Sequence, residues 1–91
     1  LYVINDNRSF FNDEDHQVAV ARDRSWPEEN GFIGMRMQDP ETDIAAIARG
    51  SGAWAAGPVE DPEELAGALT AARDAALDGA TAVVHVRTAP R

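Results

Sequence analysis

The sequence predicts an α/β fold, with a largely parallel sheet and flanking helices in three layers. Short apolar runs alternate along the chain with longer segments of helical periodicity. Capping residues, prolines and glycines separate these segments at positions typical of helix starts and ends. Strands that alternate with helices usually form parallel sheets, because each crossover returns the chain to the same edge.

The first half of the chain predicts a strand, a helix and an extended segment. Residues 1–4 form an apolar run that indicates a buried strand. A helix follows, capped by Asn12 or Asp13 and extending to about Arg22. Residues 31–38 alternate between apolar and other side chains, which favours a short extended segment.

A second helix is predicted to begin at Asp39-Pro40, with Asp39 as the cap and Pro40 at the first helical position. The segment Gly50-Ser51-Gly52 ends this helix. Its predicted buried stripe consists of Ile44, Ile47 and Ala48.

The last part of the chain predicts a strand, the clearest helix and a final strand. Residues 53–57 form a brief strand that ends at Pro58. Asp61 caps a helix that closes at Gly79, and residues 80–87 form a β-rich strand. The apolar face of this helix is predicted to contain Leu65, Leu69, Ala72, Ala76 and Leu77. We expect three parallel neighbours in the sheet: residues 1–4, 53–56 and 82–86.

Composition restricts the class of protein. The net charge of −8 comes from 16 acidic and 8 basic residues, and every basic residue is Arg. Such a chain is poorly suited to nucleic acid or to anionic membranes. The absence of Cys argues against a disulfide framework, and no apolar run approaches the roughly 18 residues of a membrane span. We therefore expect a cytoplasmic protein.

A length of 91 residues allows one small domain, residues 1–91. The chain has no initiator Met, and its first residue already lies within the first predicted strand. We therefore expect a partial domain, truncated at its N-terminus and derived from the C-terminal part of something longer.

Polar side chains follow the first predicted strand directly, as Asn5-Asp6-Asn7 and then Arg8-Ser9. Ligands of open α/β sheets bind where strands end at their carboxyl side. The same residues are also compatible with an Asx-rich turn that simply ends a strand.

The segment from Asp6 to Glu14, followed by His16-Gln17, resembles the Asn-Asn end of the thiamine-diphosphate motif. The similar proteins are the acetolactate synthase and benzoylformate decarboxylase group. The likeness continues weakly to the C-terminus, but only the first seventeen or so residues are specific. It implies that the chain is the C-terminal half of a thiamine-diphosphate-binding domain.

The resemblance implies a site that binds thiamine diphosphate and Mg²⁺. The position of Asn7 supplies its amide oxygen to the metal, and the position of Ser9 supplies its backbone carbonyl. Phe10 and Phe11 would line the diphosphate end of the cofactor or the entrance to the substrate pocket. Asp6 departs from the usual Asn-Asn pair, and its carboxylate would either tighten the metal or repel the phosphates.

The resemblance also implies an activity. The full-length protein would be an acetolactate synthase-like carboligase or a decarboxylase or lyase acting on 2-oxo acids or aldehydes. It would be a homo-oligomeric enzyme, and the partial chain alone would be inactive. The third metal ligand, the Asp of Gly-Asp-Gly, and the Glu that activates the cofactor would lie outside this chain, so no catalytic residue is assigned within it.

Several alternatives stay open. At least one of Phe10 and Phe11 would more simply fill the core between the first strand and the next helix. His16 is interpreted as solvated or capping, and His85, inside the last strand, as structural. Other functions compatible with the sequence are a small acidic interaction module and an unrelated nucleotide-binding α/β fragment.

Overall fold

The computed structural model describes residues 1–89. Residues 90 and 91, the last two of the predicted domain, lie outside that range. The chain has the expected α/β architecture, with three strands that form one open parallel sheet and three helices. In chain order the elements are β1 (Tyr2–Asp6), α1 (Phe11–Asp23), α2 (Ile44–Gly50), β2 (Trp54–Val59), α3 (Pro62–Leu77) and β3 (Ala82–Arg87).

The described chain divides into two compact units. Unit 1 contains the whole sheet with α2 and α3, and it is built from residues 1–7 and 43–89. Unit 2 contains α1 and the turns that follow it, in residues 8–42.

The strands of unit 1 lie in the order β1-β3-β2, so that the last strand of the chain occupies the centre. Both neighbours run parallel to it, as predicted for these three segments. On one side Ile4 is opposite His85 and Asp6 is opposite Arg87. On the other side Ala55 is opposite Val83. This register places the carboxyl ends of all three strands at the same edge of the sheet.

The core of unit 1 lies between α3 and the sheet. Its fully or almost fully buried members are Val59, Ala72, Ala82 and Val84. Strand alternation makes Ala82 and Val84 share one face of β3, whereas His85 emerges on the other face. Ala72 lies on the inward side of α3, which is lined mainly by small residues and leucines and therefore packs closely against the strands.

Local signals explain why α3 forms where it was predicted. The Asp61 carboxylate accepts a hydrogen bond from the Glu63 amide at 2.9 Å, which satisfies one of the free donors of the first turn. Pro62 occupies the start of the helix, where no intrahelical donor is needed. One member of the predicted stripe is wrong, because Leu77 is 81% exposed at the last helical position.

The first strand and first helix differ from their predicted bounds. β1 continues through Asn5 and Asp6, because its ladder with β3 extends to Arg87. The N-cap of α1 is Phe10, without a side-chain cap, so neither Asn12 nor Asp13 caps the helix. The backbone rather than a capping side chain decides this start, since the Phe10 carbonyl already accepts the first helical hydrogen bonds.

Between residues 31 and 43 a predicted extended segment and the predicted start of the second helix are wrong. Residues 31–38 form turns with isolated bridges instead of an extended segment, and Gly34 has a φ of +79°. The second helix begins at Ile44 rather than at Pro40, because Asp43 provides the N-cap and accepts from the Ala46 amide at 2.8 Å. The expected buried position in that helix shifts accordingly, with Ala45 fully buried and Ile47 60% exposed.

β2 does not end at Pro58 but continues to Val59, with a register irregularity after Ala56. Proline is tolerated here because β2 is an edge strand and the irregularity removes the need for a ladder donor. Gly57, with a φ of +115°, lies so close to β3 that an added Cβ would collide with the backbone oxygen of His85. Glycine is therefore required at this point of the sheet.

None of the helices formed by residues 1–89 is both long enough and apolar enough to cross a membrane.

We predict that Gly57→Ala destabilises the protein by on the order of 3 kcal/mol, since the methyl group meets rigid backbone and the φ value is unfavourable. Chemical denaturation followed by circular dichroism measures the change. Gly67→Ala is the matched control, because nothing lies within 4 Å of an added Cβ in the middle of α3. That control should stabilise the protein by about 0.5–1 kcal/mol. Equal stability of the two variants would contradict the close approach at Gly57.

Candidate functional site

Polar and charged side chains gather at the carboxyl edge of the sheet in unit 1. Asp6 is the last residue of β1, Arg87 is the last residue of β3, and Glu60 directly follows β2. Because the strands are parallel, all three exits lie at one edge, which is the usual ligand side of an open α/β sheet.

Asp6 is held by two residues of the central strand. Its Oδ2 lies 2.8 Å from His85 Nε2 and 3.8 Å from Arg87 Nε. The three side chains are largely withdrawn from solvent, with exposures of 11% for Asp6, 0% for His85 and 12% for Arg87. A carboxylate this buried needs charged or hydrogen-bonding partners, and the central strand provides both.

Arg87 connects this pair to the exit of β2. Its Nη1 donates to Glu60 Oε1 at 2.8 Å, and the Glu60 side chain is 62% exposed. Glu60, Arg87, Asp6 and His85 thus form a connected series of charged or polar side chains, which we term the exit network. The network links the carboxyl ends of all three strands.

Hydrogen bonds of Thr88 further fix the end of β1. The Thr88 amide donates to the Asp6 carbonyl at 3.0 Å, and its hydroxyl donates to Asn5 Oδ1 at 3.0 Å. The two strand ends are therefore joined through main-chain and side-chain groups just before the chain reaches Asn7.

Asn7 is the first residue after β1 and the last residue of this part of unit 1. Its side chain is half-buried, at the edge where the exit network lies. Among residues 1–89 no group of three or more His, Asp or Glu side chains could hold a metal ion. The donors that the resemblance implies are instead an amide oxygen and a main-chain carbonyl, which are hard oxygen ligands of the type Mg²⁺ prefers.

Ser9 belongs to unit 2, where it forms an isolated antiparallel bridge with Arg36. The bonds of this bridge run from the Phe10 amide to the Met35 carbonyl at 2.7 Å and from the Met37 amide to the Arg8 carbonyl at 2.8 Å. They use groups of the residues flanking Ser9 and fix the course of the backbone through it.

Phe10 and Phe11 are 52% and 41% exposed. Neither side chain fills a core, so the simpler interpretation of at least one of them as a core residue is wrong. Phe10 is the N-cap of α1 and Phe11 is its first residue, which places both rings at the start of the helix.

A hollow of about 390 Å³ opens beside Phe10 in unit 2. It is lined by Phe10, Asp13, His16, Gln17, Gly34 and Met35. His16 and Gln17 also line a second hollow of about 380 Å³ that includes Trp26 and Asn30. His16 is exposed, as its interpretation as a solvated residue required.

A bidentate ion pair holds α1 against the turn segment of unit 2. Arg36 Nη2 donates to Glu14 Oε1 at 2.6 Å and its Nε donates to Oε2 at 3.2 Å, while the guanidinium lies 4.9 Å from the Phe32 ring centroid. These hydrogen bonds lower the pKa of the Glu14 carboxyl and raise the pKa of Arg36. A similar fork from Arg22 lowers the pKa of Glu28.

The exit network is the part of this region that sequence reasoning missed. His85 was interpreted as a structural residue and is fully buried, but its partner Asp6 lies 79 positions away along the chain. The available signal was that a buried histidine in a valine-rich strand requires a polar partner. The charged residues at the ends of neighbouring strands were the candidates for that partner.

Comparisons with known proteins add no assignment, since no protein-family model, no curated protein and no solved structure matches the chain.

We predict that Glu14→Gln makes unit 2 less sensitive to acid. Because the folded pKa of Glu14 lies below its unfolded value, its stabilising effect is fully present above about pH 4.3 and is lost as the pH falls through the folded pKa. Trp26 lies in this unit and Trp54 in unit 1, so in a Trp54→Phe background the fluorescence of Trp26 reports unfolding of unit 2 during an acid titration. Glu29→Gln removes one charge from an exposed position of the same unit and is the control. The prediction would be contradicted if the stability of wild type and of Glu14→Gln fell equally as the pH is lowered.

Proposed function

We propose that this chain forms part of the thiamine-diphosphate and Mg²⁺ binding domain of an enzyme acting on 2-oxo acids or aldehydes. The observation that carries the proposal is the position of the resembling segment. Asp6 ends a strand of a parallel α/β sheet, and Asn7-Arg8-Ser9 follow it directly at the carboxyl edge, where such sheets bind ligands.

The donor types support a magnesium-diphosphate site. The amide oxygen of Asn7 and the main-chain carbonyl of Ser9 are the metal ligands that the resemblance assigns to this chain. Mg²⁺ takes few protein ligands and shares its octahedron with phosphate oxygens and water. A third protein ligand, the Asp of a Gly-Asp-Gly segment upstream of Leu1, completes the proposed set.

The role proposed for this chain is anchoring and orientation. Thiamine diphosphate, when bound, supplies the nucleophilic carbon of the reaction. Asn7 and Ser9 fix the diphosphate end through the metal, and the hydrogen bonds of Thr88 to Asn5 and Asp6 keep the preceding strand end in place. Phe10 and Phe11, at the start of α1, are proposed to line the diphosphate end or the entrance to the substrate pocket.

No proton-transfer residue is assigned to the chain under this proposal. The Glu that activates the cofactor belongs, in the resembled group, to the other domain of a partner subunit. The proposed enzyme is therefore a homo-oligomer, and the present residues supply its cofactor anchor.

We predict that Asn7→Ala weakens thiamine-diphosphate binding by about 10- to 100-fold at limiting Mg²⁺, because water replaces the amide oxygen without the same positioning. The difference should narrow as Mg²⁺ is raised. Calorimetric titration of the cofactor at several Mg²⁺ concentrations, on the full-length reading frame that contains this chain, measures both effects.

The control for this prediction is Asn12→Ala, which removes the same amide from an exposed position in the first turn of α1. Circular dichroism of both variants checks that the fold is retained. Equal cofactor affinity of Asn7→Ala and wild type at limiting Mg²⁺ would overturn the metal assignment.

A further inference from the structure

His85 is fully buried, although it is a polar residue within the otherwise apolar run 82–86 of β3. It emerges on the face of the sheet opposite to Val84, which belongs to the α3 core. Its Nε2 contacts the Asp6 carboxylate at 2.8 Å, across the ladder that joins β3 to β1. The burial of this ring therefore depends on a residue at the end of the neighbouring strand.

We propose that His85 is a positioning residue that holds the Asp6 carboxylate against the central strand. In this position the Asp6 carboxylate contacts His85 Nε2 at 2.8 Å and lies 3.8 Å from Arg87 Nε, and it does not serve a cation beyond the end of β1. Asp6 replaces the first Asn of the Asn-Asn pair, and its carboxylate could have tightened the metal or repelled the phosphates. The inference excludes both roles, since Asp6 neither binds the metal nor faces the phosphates.

The register of the strands explains how the contact arises. Ile4 is opposite His85 and Asp6 is opposite Arg87, and directly opposed residues of parallel strands share a face. Asp6 thus projects on the same face as His85 and Arg87. Its carboxylate bonds diagonally back to His85 and lies 3.8 Å from Arg87 Nε.

The position of the ring proton follows from the other nitrogen. His85 Nδ1 is buried and makes no hydrogen bond to the described chain. A proton on Nδ1 would be a buried donor without an acceptor, which is more costly than an unused lone pair. The structure therefore assigns a proton to Nε2, from which it is donated to Asp6 Oδ2.

The Arg87 guanidinium beside Asp6 is also paired with the exit of β2. Glu60 accepts from Arg87 Nη1 at 2.8 Å, so that the guanidinium lies between two carboxylates. Because Asp6 is withdrawn into this arrangement, Asn7 provides the first side chain beyond the strand end. The geometry of the His85–Asp6 contact is independent of any cofactor, whereas its consequence for metal binding rests on the proposed function.

Nuclear magnetic resonance of the imidazole nitrogens tests the contact directly. We expect a protonated Nε2 and an unprotonated Nδ1 in the wild-type protein. In Asp6→Leu the Nε2 proton should move upfield and exchange faster with water, because its acceptor is lost. A proton on Nδ1 alone, or an Nε2 proton unaffected by Asp6→Leu, would overturn the proposal.

The conservative variant provides a rescue test. His85→Leu removes the Nε2 donor and leaves the Asp6 carboxylate without this hydrogen bond, so it should lower Tm markedly. His85→Gln keeps an amide donor at about the reach of Nε2 and should recover most of the loss. A Tm of His85→Gln no higher than that of His85→Leu would mean that the contact is incidental. If neither variant folds, the wild-type and Asp6→Leu spectra decide the question.

A metal titration separates this inference from the proposed function. In the full-length reading frame, Asp6→Asn should leave the Mg²⁺ dependence of thiamine-diphosphate binding nearly unchanged. A rise of about tenfold or more in the Mg²⁺ required would identify Asp6 as a metal ligand and overturn the inference. Absence of cofactor binding by the wild-type protein would instead overturn the proposed function, and the spectra of His85 would still test its contact with Asp6.

Discussion

Unit 1 depends on the pairing of β3 along both of its edges. The central strand pairs with β1 on one side and β2 on the other, and it carries the fully buried residues Ala82, Val84 and His85. Ala82 and Val84 form the sheet side of the α3 core, while His85 satisfies its polar ring through β1. Because the three strands are parallel, the pairing that builds the core also brings their carboxyl ends together. The same constraint therefore produces both the stability of the unit and the polar edge that precedes Asn7.

Elements with strong local signals could be predicted from the sequence. The Asp61-Pro62 start fixed α3, and the valine-rich run identified β3. Prediction failed between residues 31 and 43, where two local signals were compatible with different structures. Alternation in a short segment did not lead to a ladder, because Arg36 and Gln38 each form only an isolated bridge within the described chain. Asp39-Pro40 and Asp43 were both possible helix starts, and the cap that formed was Asp43.

The candidate site, too, could be predicted from the sequence only in part. The placement of Asn7 after a parallel strand followed from one contiguous stretch of sequence, and the strand is present. The contact of Asp6 with His85 could not be read from any window, because it depends on the register between the first and last strands. Likewise, α1 starts two or three residues earlier than the predicted side-chain caps indicated, which places the exposed Phe10 and Phe11 at its start. Residues that act through distant partners are found from the topology, not from local pattern.

The discontinuity of unit 1 has a consequence for the order of folding. Residues 43–89 are contiguous and contain α2 followed by the βαβ unit β2-α3-β3. The two strands of that unit pair after a short crossover through α3. Addition of β1 to this folded unit must close a loop formed by unit 2, residues 8–42. The entropic cost of closing that loop is met only by the contacts of β1 with β3. We therefore expect the polar edge of the sheet to be completed late in folding, when Asp6 reaches His85, with φ-values near zero in β1 as the kinetic signature.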